Sequence, residues 1–158
     1  MPHSLSVLVL AAGKGTRMNS QKPKVLHEIA GLPLVCHVIE AIKPLEPDNL
    51  VVVIAPDQEE IRGVVSPASI RIQEKSLGTG DAVKAGLSNL KNLCGTVLVA
   101  FGADPMITTS TLKRLISARE VVDPPDVVVL GFRTENPDRY GRLVLDTHGK
   151  LERIVEVS

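Results

Sequence analysis

The chain is poor in aromatic residues: tryptophan is absent, tyrosine occurs once and phenylalanine twice, 2% of 158 residues. Proteins that bind single strands of nucleic acid stack bases on aromatic rings, and such a platform cannot be built here. An excess of one charge is also missing, since 18 basic residues meet 18 acidic ones. That balance excludes the broad basic surface of a general nucleic-acid binder. No apolar run reaches the roughly 20 residues that span a bilayer. The N-terminal apolar stretch is short and lacks a basic leader, so it does not read as a secretory signal. Cys36 and Cys94 stand far apart without a Cys-x-x-Cys pattern. They read as reduced thiols of a cytoplasmic protein. His3, His27, His37 and His148 have no metal-ligand spacing and read as surface or packing residues.

What is present points elsewhere. Hydrophobic residues make up 44% of the chain, so a core of Val, Leu, Ile and Ala is expected. The length suits one domain over residues 1–158, and no repeat, low-complexity tract or linker divides it. Leu5 to Leu10 is an apolar run that reads as a buried strand. It leads into Ala-Ala-Gly-Lys-Gly-Thr-Arg at 11–17, where small residues let backbone N–H groups approach a ligand. Lys14, Arg17, Lys22 and Lys24 fall within the first 27 residues, which contain no Asp or Glu. A glycine-rich turn with clustered cations is what a polyphosphate needs. The loop is neither a dinucleotide fingerprint, whose third glycine would fall at Met18, nor a Walker loop, because Lys14 lies between the glycines.

Further along, apolar residues at 34, 35, 38, 39 and 42 have helical spacing, closed by Pro44 and Pro47. Leu50 to Ala55 reads as a second strand, Asp57 to Val65 as a short helix and Ile70 to Gln73 as a third strand. Thr79 to Leu90 reads as a helix entered through Leu77-Gly78-Thr79-Gly80. Thr96 to Phe101 reads as a fourth strand. Thr108 is placed to cap a helix bearing Leu112, Leu115 and Ile116, broken by Pro124-Pro125. Asp126 to Phe132 reads as a fifth strand. Segments on either side of Asp146-Thr-His-Gly149 predict a hairpin, Arg142 to Leu145 and Leu151 to Val157. The expected fold is a three-layer α/β/α sandwich with a mostly parallel, Rossmann-like sheet covered on both sides, plus a C-terminal β-hairpin. Such sheets bind ligands beyond the carboxyl ends of their strands.

The blocks L-A-A-G-K-G-T-R-M, P-K-V-L-H and L-G-T-G resemble, in this order, the sugar-1-phosphate nucleotidyltransferases. Within that superfamily the chain is most similar to the uridyltransferase domain of bacterial bifunctional N-acetylglucosamine-1-phosphate uridyltransferases. The resemblance implies uridylyl transfer from UTP to N-acetylglucosamine 1-phosphate, assisted by Mg²⁺, in the synthesis of cell-envelope precursors. It assigns nucleotide contacts to Leu10, Ala11, Ala12, Gly13, Lys14, Gly15, Gln73, Gly78 and Thr79. Catalytic charge falls to Arg17 and Lys24, and sugar contacts to Gly102, Gly141 and Glu156. The family continues beyond such a stretch, with two asparagines for sugar and metal and then an acetyltransferase half. None of these lies within residues 1–158, which suggests a fragment or a reduced function.

The residues can be weighed on their own chemistry. Nucleotidyl transfer needs no protein nucleophile, because the sugar phosphate itself attacks and the protein aligns and neutralises anions. Arg17 is suited to fork across the β- and γ-phosphates, and Lys24, held by Pro23, to act as a point charge. Lys22 reads as a solvated surface lysine. Gln73 suits the edge of a uracil ring, although such a residue taken alone is more often a surface glutamine. Gly78-Thr79-Gly80 offers amides and a hydroxyl to a ligand, or simply starts a helix. In the family pattern Gly-Asp-x-Pro-Leu-Ile the Asp binds Mg²⁺. Here Ala103 holds that position and the carboxylate follows at Asp104. Asp104 is therefore the expected metal ligand, with a turn-capping role as the competing reading. Two other functions stay open: a non-catalytic module that binds a nucleotide or UDP-sugar, and a related transferase with another base or sugar.

Overall fold

A computed structural model describes residues 4–13, 15, 18–90, 95–138 and 140–156. Packing groups the chain into two compact units, Met1–Pro124 and Pro125–Ser158. Among the described residues no helix is long and apolar enough to cross a membrane.

The first unit is built on four parallel strands, β1 (Leu5–Leu10), β4 (Asn49–Ile54), β5 (Ser69–Ile72) and β6 (Thr96–Phe101), in the order β5-β4-β1-β6. A short antiparallel pair, β2 (Glu28–Ile29) and β3 (Leu32–Pro33), lies between β1 and helix α1 (Leu34–Ile42). Every apolar position at helical spacing in α1 is buried: Leu34, Val35, Val38, Ile39 and Ile42. They pack with Val7, Val9, Val52, Ile54 and Leu98 on one face of the sheet. Helix α4 (Thr109–Ser117) adds Leu112 to this layer and is tied to α1 where Thr109 Oγ1 donates to the Ala41 carbonyl at 2.8 Å. The expected cap at its start is present: the Thr111 N–H donates to Thr108 Oγ1. Helix α2 (Glu59–Val64) is shorter than the expected 57–65 and seats Ile61 in the same core.

Helix α3 (Thr79–Leu87) covers the other face, where Ala82 packs with Leu8, Val51 and Val53. It stops three residues short of the expected Leu90: Ser88 leaves helical geometry with its N–H on the Lys84 and Ala85 carbonyls, and Asn89 has φ +59°. Gly86 is needed here, because a Cβ would come within 3.0 Å of Val53 and 3.1 Å of Leu8. Residues 7–9 of β1 and 52–54 of β4 are 0% exposed, as strands covered on both faces require. Full burial of each such side chain contributes about 1.5–3 kcal/mol.

Two expectations are corrected. β6 is apolar throughout, yet only Leu98 and Ala100 are buried, while Val97, Val99 and Phe101 are exposed. β6 ends the sheet, and α3 packs on β1, β4 and β5 rather than on this edge. The segment 126–132, expected as a fifth strand, is not a strand. An apolar run becomes a strand only where a partner takes its N–H and C=O groups, and no ladder bonds are made there among the described residues. The second unit does contain the hairpin, β7 (Arg142–Leu145) against β8 (Leu151–Val155). Its turn is held by Asp146 Oδ1, which accepts from the His148 and Lys150 N–H groups at 2.8 Å each. Phe132 and Tyr140 meet edge to face with ring centroids 4.9 Å apart.

The entrance of β1 is clamped to the approach to β4. The Leu5 N–H donates to Asp48 Oδ2 at 2.9 Å, and the Asp48 N–H donates to the Leu5 carbonyl at 2.9 Å. The bond from Leu5, with a further one from Ser4, holds the Asp48 carboxyl below its usual range. A depressed folded pKa contributes stability that is present above the unfolded value, about 3.9, and lost as pH falls through the folded one. Asp48→Ala is therefore expected to unfold more easily than wild type at neutral pH. In denaturant titrations followed by circular dichroism, the two curves should converge below roughly pH 4. A gap that persists unchanged into stronger acid would contradict this role.

Candidate active site

Because all four strands are parallel, their carboxyl ends open on one side. The chain runs outward from β1 to β4 and β5, then returns to place β6 on the other flank of β1. Connections leaving neighbouring strand ends in opposite directions leave a crevice between β1 and β6. A cavity of about 750 Å³ lies there, within the range of small-molecule sites.

The loop after β1 forms its floor. Leu10, Ala11, Ala12, Gly13 and Gly15 all line the cavity. The Ala11 N–H is held by the Val53 carbonyl at 2.8 Å, which fixes the direction in which the loop leaves. The glycines have different reasons. A Cβ on Gly13 would meet nothing within 4 Å, so protein packing does not demand its small size. Gly15 has φ +60°, and a Cβ there would stand 2.7 Å from Lys24 Cβ. The loop thus lies directly against Lys24.

Lys24 is positioned by its neighbours. Pro23, Val25 and Leu26 are buried around it, anchoring the 3-10 turn Lys24–Leu26, while Lys24 itself is exposed and lines the cavity. It is the cation of the lining among the described residues. Lys14 and Arg17 lie outside the described residues. Lys22 is exposed and sits 3.5 Å from Glu28, as a solvated lysine would.

The opposite wall comes from β5 and α3. Gln73 follows β5, with its N–H on the Ile54 carbonyl at 2.8 Å, and it is buried to 6% exposure rather than lying on the surface. Gly78, at φ +103°, and Thr79 start α3 and line the cavity with Ser76 and Ala82.

On the β6 side the backbone turns sharply. The Asp104 N–H donates to the Phe101 carbonyl and the Ile107 N–H to the Asp104 carbonyl, each at 3.2 Å. A one-residue slip in an extended strand would send a side chain to the far face. This turn instead places both Ala103 and Asp104 on the cavity wall. Asp104 is the one carboxylate of that lining, and among the described residues no group of three or more His, Cys, Asp or Glu could hold a metal. A Mg²⁺ ion takes one or two carboxylates and completes its shell with phosphate oxygens and water, so a lone Asp104 fits such an ion.

Gly102 does not line the cavity. It is buried, its N–H is spent on the Leu10 carbonyl at 2.9 Å, and a Cβ would sit 3.2–3.4 Å from Leu10, Val9 and Val25. Gly141 and Glu156 belong to the second unit, where the hairpin brings them together: a Cβ on Gly141 would lie 3.3 Å from a Glu156 carboxylate oxygen. Sequence reasoning did not single out Ser76, Ala82 or Phe101 as cavity residues. For Phe101 the signal was its place as the last residue of a strand before Gly102; Ser76 and Ala82 carry none.

These features define a nucleotidyltransferase fold with a glycine loop at the switch point. The family model of the MobA-like NTP transferase domain matches residues 7–148, and the chain belongs to that family. It is 47% identical over 152 residues to the bifunctional protein GlmU of Paramagnetospirillum magneticum, covering 96% of this chain and 34% of that protein. It is 46% identical over 151 residues to GlmU of Rhodospirillum rubrum, again covering 96% and 34%. The chain spans about a third of the length of these curated relatives. Among solved structures, HddC of Yersinia pseudotuberculosis, complexed with GMP-PN, matches with a TM-score of 0.75 at 24% identity, over 96% of this chain and 68% of that one. A 4-diphosphocytidyl-2C-methyl-D-erythritol synthase from Anaerococcus prevotii matches with a TM-score of 0.61 at 16% identity, over 96% and 64%. These two share the fold.

The two loop glycines make separable predictions. Gly15→Ala is expected to lower folding stability by about 1–2 kcal/mol, from the left-handed backbone alone, and to weaken nucleotide binding by displacing Lys24. Gly13→Ala should leave the thermal midpoint near wild type and weaken nucleotide binding only. Thermal unfolding beside calorimetric titration with UTP checks both, and equal midpoints for the two variants would contradict the packing argument.

Proposed function

We propose that this chain carries out uridylyl transfer from UTP to N-acetylglucosamine 1-phosphate, yielding the UDP-sugar and pyrophosphate. The observation that carries this reading is the convergence of the glycine loop, Lys24, Gln73 and Asp104 on one cavity. An oxygen of the sugar phosphate attacks the α-phosphorus of UTP. A new P–O bond forms, the bond to the β-phosphate breaks, and pyrophosphate leaves with the negative charge. In this reading backbone N–H groups of the loop and the Lys24 ammonium receive the charge that grows during this step. Arg17, from the same loop, is assigned to the leaving pyrophosphate on its sequence position. Asp104 would hold Mg²⁺, which when bound supplies positive charge to the phosphates. Gln73, Gly78 and Thr79 bind the uridine, and sugar contacts are assigned to Gly141 and Glu156 on their sequence positions alone.

The reading draws support from the GlmU relatives, which match nearly the whole of this chain. A second reading, a nucleotide-binding module without turnover, is favoured by Ala103 at the position where the family pattern has its metal-binding Asp. Pyrophosphate release from UTP and N-acetylglucosamine 1-phosphate separates the two. Turnover that requires Mg²⁺ and falls roughly 10²–10³-fold in Lys24→Ala is the expected result. Asp104→Asn should remove the Mg²⁺ dependence together with the turnover. Tight UTP binding without pyrophosphate release would establish the second reading.

A further inference from the structure

The side chain of Gln73 is held in a way that the phosphate chemistry does not require. Its Nε2 donates to the Gly78 carbonyl at 3.0 Å and to Asp81 Oδ2 at 2.9 Å. A glutamine amide can ordinarily be turned end for end, because its oxygen and nitrogen are nearly isosteric. Here both partners are acceptors, a carbonyl and a carboxylate. Turning the amide would set its oxygen against two other oxygens. The orientation is therefore dictated, both N–H groups are spent, and Oε1 is the end left over. Oε1 accepts no hydrogen bond among the described residues, and Gln73 is part of the cavity wall. With both N–H groups spent, Oε1 is the atom of this side chain left available to a ligand donor.

Asp81 does not line the cavity. It sits half-buried in the first turn of α3, two residues after the cavity-lining Thr79. We propose that Asp81 is a positioning residue for base selection: with the Gly78 carbonyl it locks the Gln73 amide so that Oε1 faces the base. Uracil carries an N–H at ring position 3 and satisfies that acceptor. Cytosine carries a lone pair there, which would face Oε1 with no proton between them, an unsatisfied contact inside a partly buried site. The selection arises from the second partner of Gln73. With the Asp81 carboxylate removed, one amide N–H is released and the Gly78 carbonyl alone opposes the opposite orientation. The inference rests on the uridine reading of the cavity given above.

The test is the ratio of UTP to CTP affinity, measured by calorimetric titration on wild type, Asp81→Asn and Asp81→Glu. Asparagine keeps the size of Asp81 but can donate as well as accept, so only the Gly78 carbonyl still holds the Gln73 amide. The ratio is expected to fall roughly tenfold or more in Asp81→Asn and to be retained in Asp81→Glu, which keeps an acceptor-only partner. If Asp81 merely stabilises the start of α3, both affinities fall together and the ratio holds, which overturns the proposal while leaving the uridine reading intact. A wild type that binds UTP and CTP equally removes the uridine reading, and this proposal with it. Independently of any variant, the Gln73 side-chain N–H signals in NMR spectra of the free protein should exchange slowly with water. Fast exchange of both would overturn the pairing.

Discussion

Two parallel ladders meet on β1, and the site exists because they do. β1 is bonded to β4 through Ser6–Leu10 and to β6 along its full length, while side chains from α1 and α3 cover its two faces. A strand with all its N–H and C=O groups engaged cannot drift, so the loop that follows it starts from a fixed point. Its neighbours were laid down in opposite directions from that strand, which opens the crevice at its carboxyl end. The glycine loop lies in the crevice because it is the continuation of β1. Lys24 lies against the loop because Pro23, Val25 and Leu26 are buried beneath it.

The cavity so formed is sparsely charged along its described lining, with Lys24 and Asp104 as its ionic side chains. Most of its lining residues are small, which leaves backbone within reach of a ligand. Fixed amides need no reorganisation when charge develops, which suits a reaction whose demand is alignment and neutralisation rather than a protein nucleophile. Gln73, tied to Asp81 behind it, adds a polar side chain to the lining. In the proposed reading Lys24 and the glycine loop receive phosphate, and Gln73 receives a ring edge with a donor. The second unit adds a separate juxtaposition, Gly141 with Glu156, created by the register that sets Arg142 opposite Val155.

The errors of sequence reading have a common origin. The periodicity of α1, the strands β1 and β4 and the Thr108 cap were legible because each is a local pattern with one satisfactory outcome. The segment 126–132 and the outer face of β6 were misread because an apolar run says that burial would be favourable without saying what provides it. A strand needs a ladder partner, and a face needs a helix above it. Gly102 is a similar case. It belongs to a motif associated with ligands, yet Val9, Leu10 and Val25 require its small size for packing.

Sequence alone determined the strand-loop-turn order, the glycine loop, the cation at position 24, the glutamine at 73 and the displaced carboxylate at 104. These depend on residue type and spacing, which are local. Only the tertiary structure decided that Asp104 returns to the cavity wall, because that depends on the turn closed by the Phe101 and Asp104 carbonyls. It also decided that Gln73 is a buried residue with a dictated amide orientation. That result required Asp81 and Gly78, residues on a different element, to place two acceptors at hydrogen-bond distance, and spacing along a chain carries no information about such a meeting.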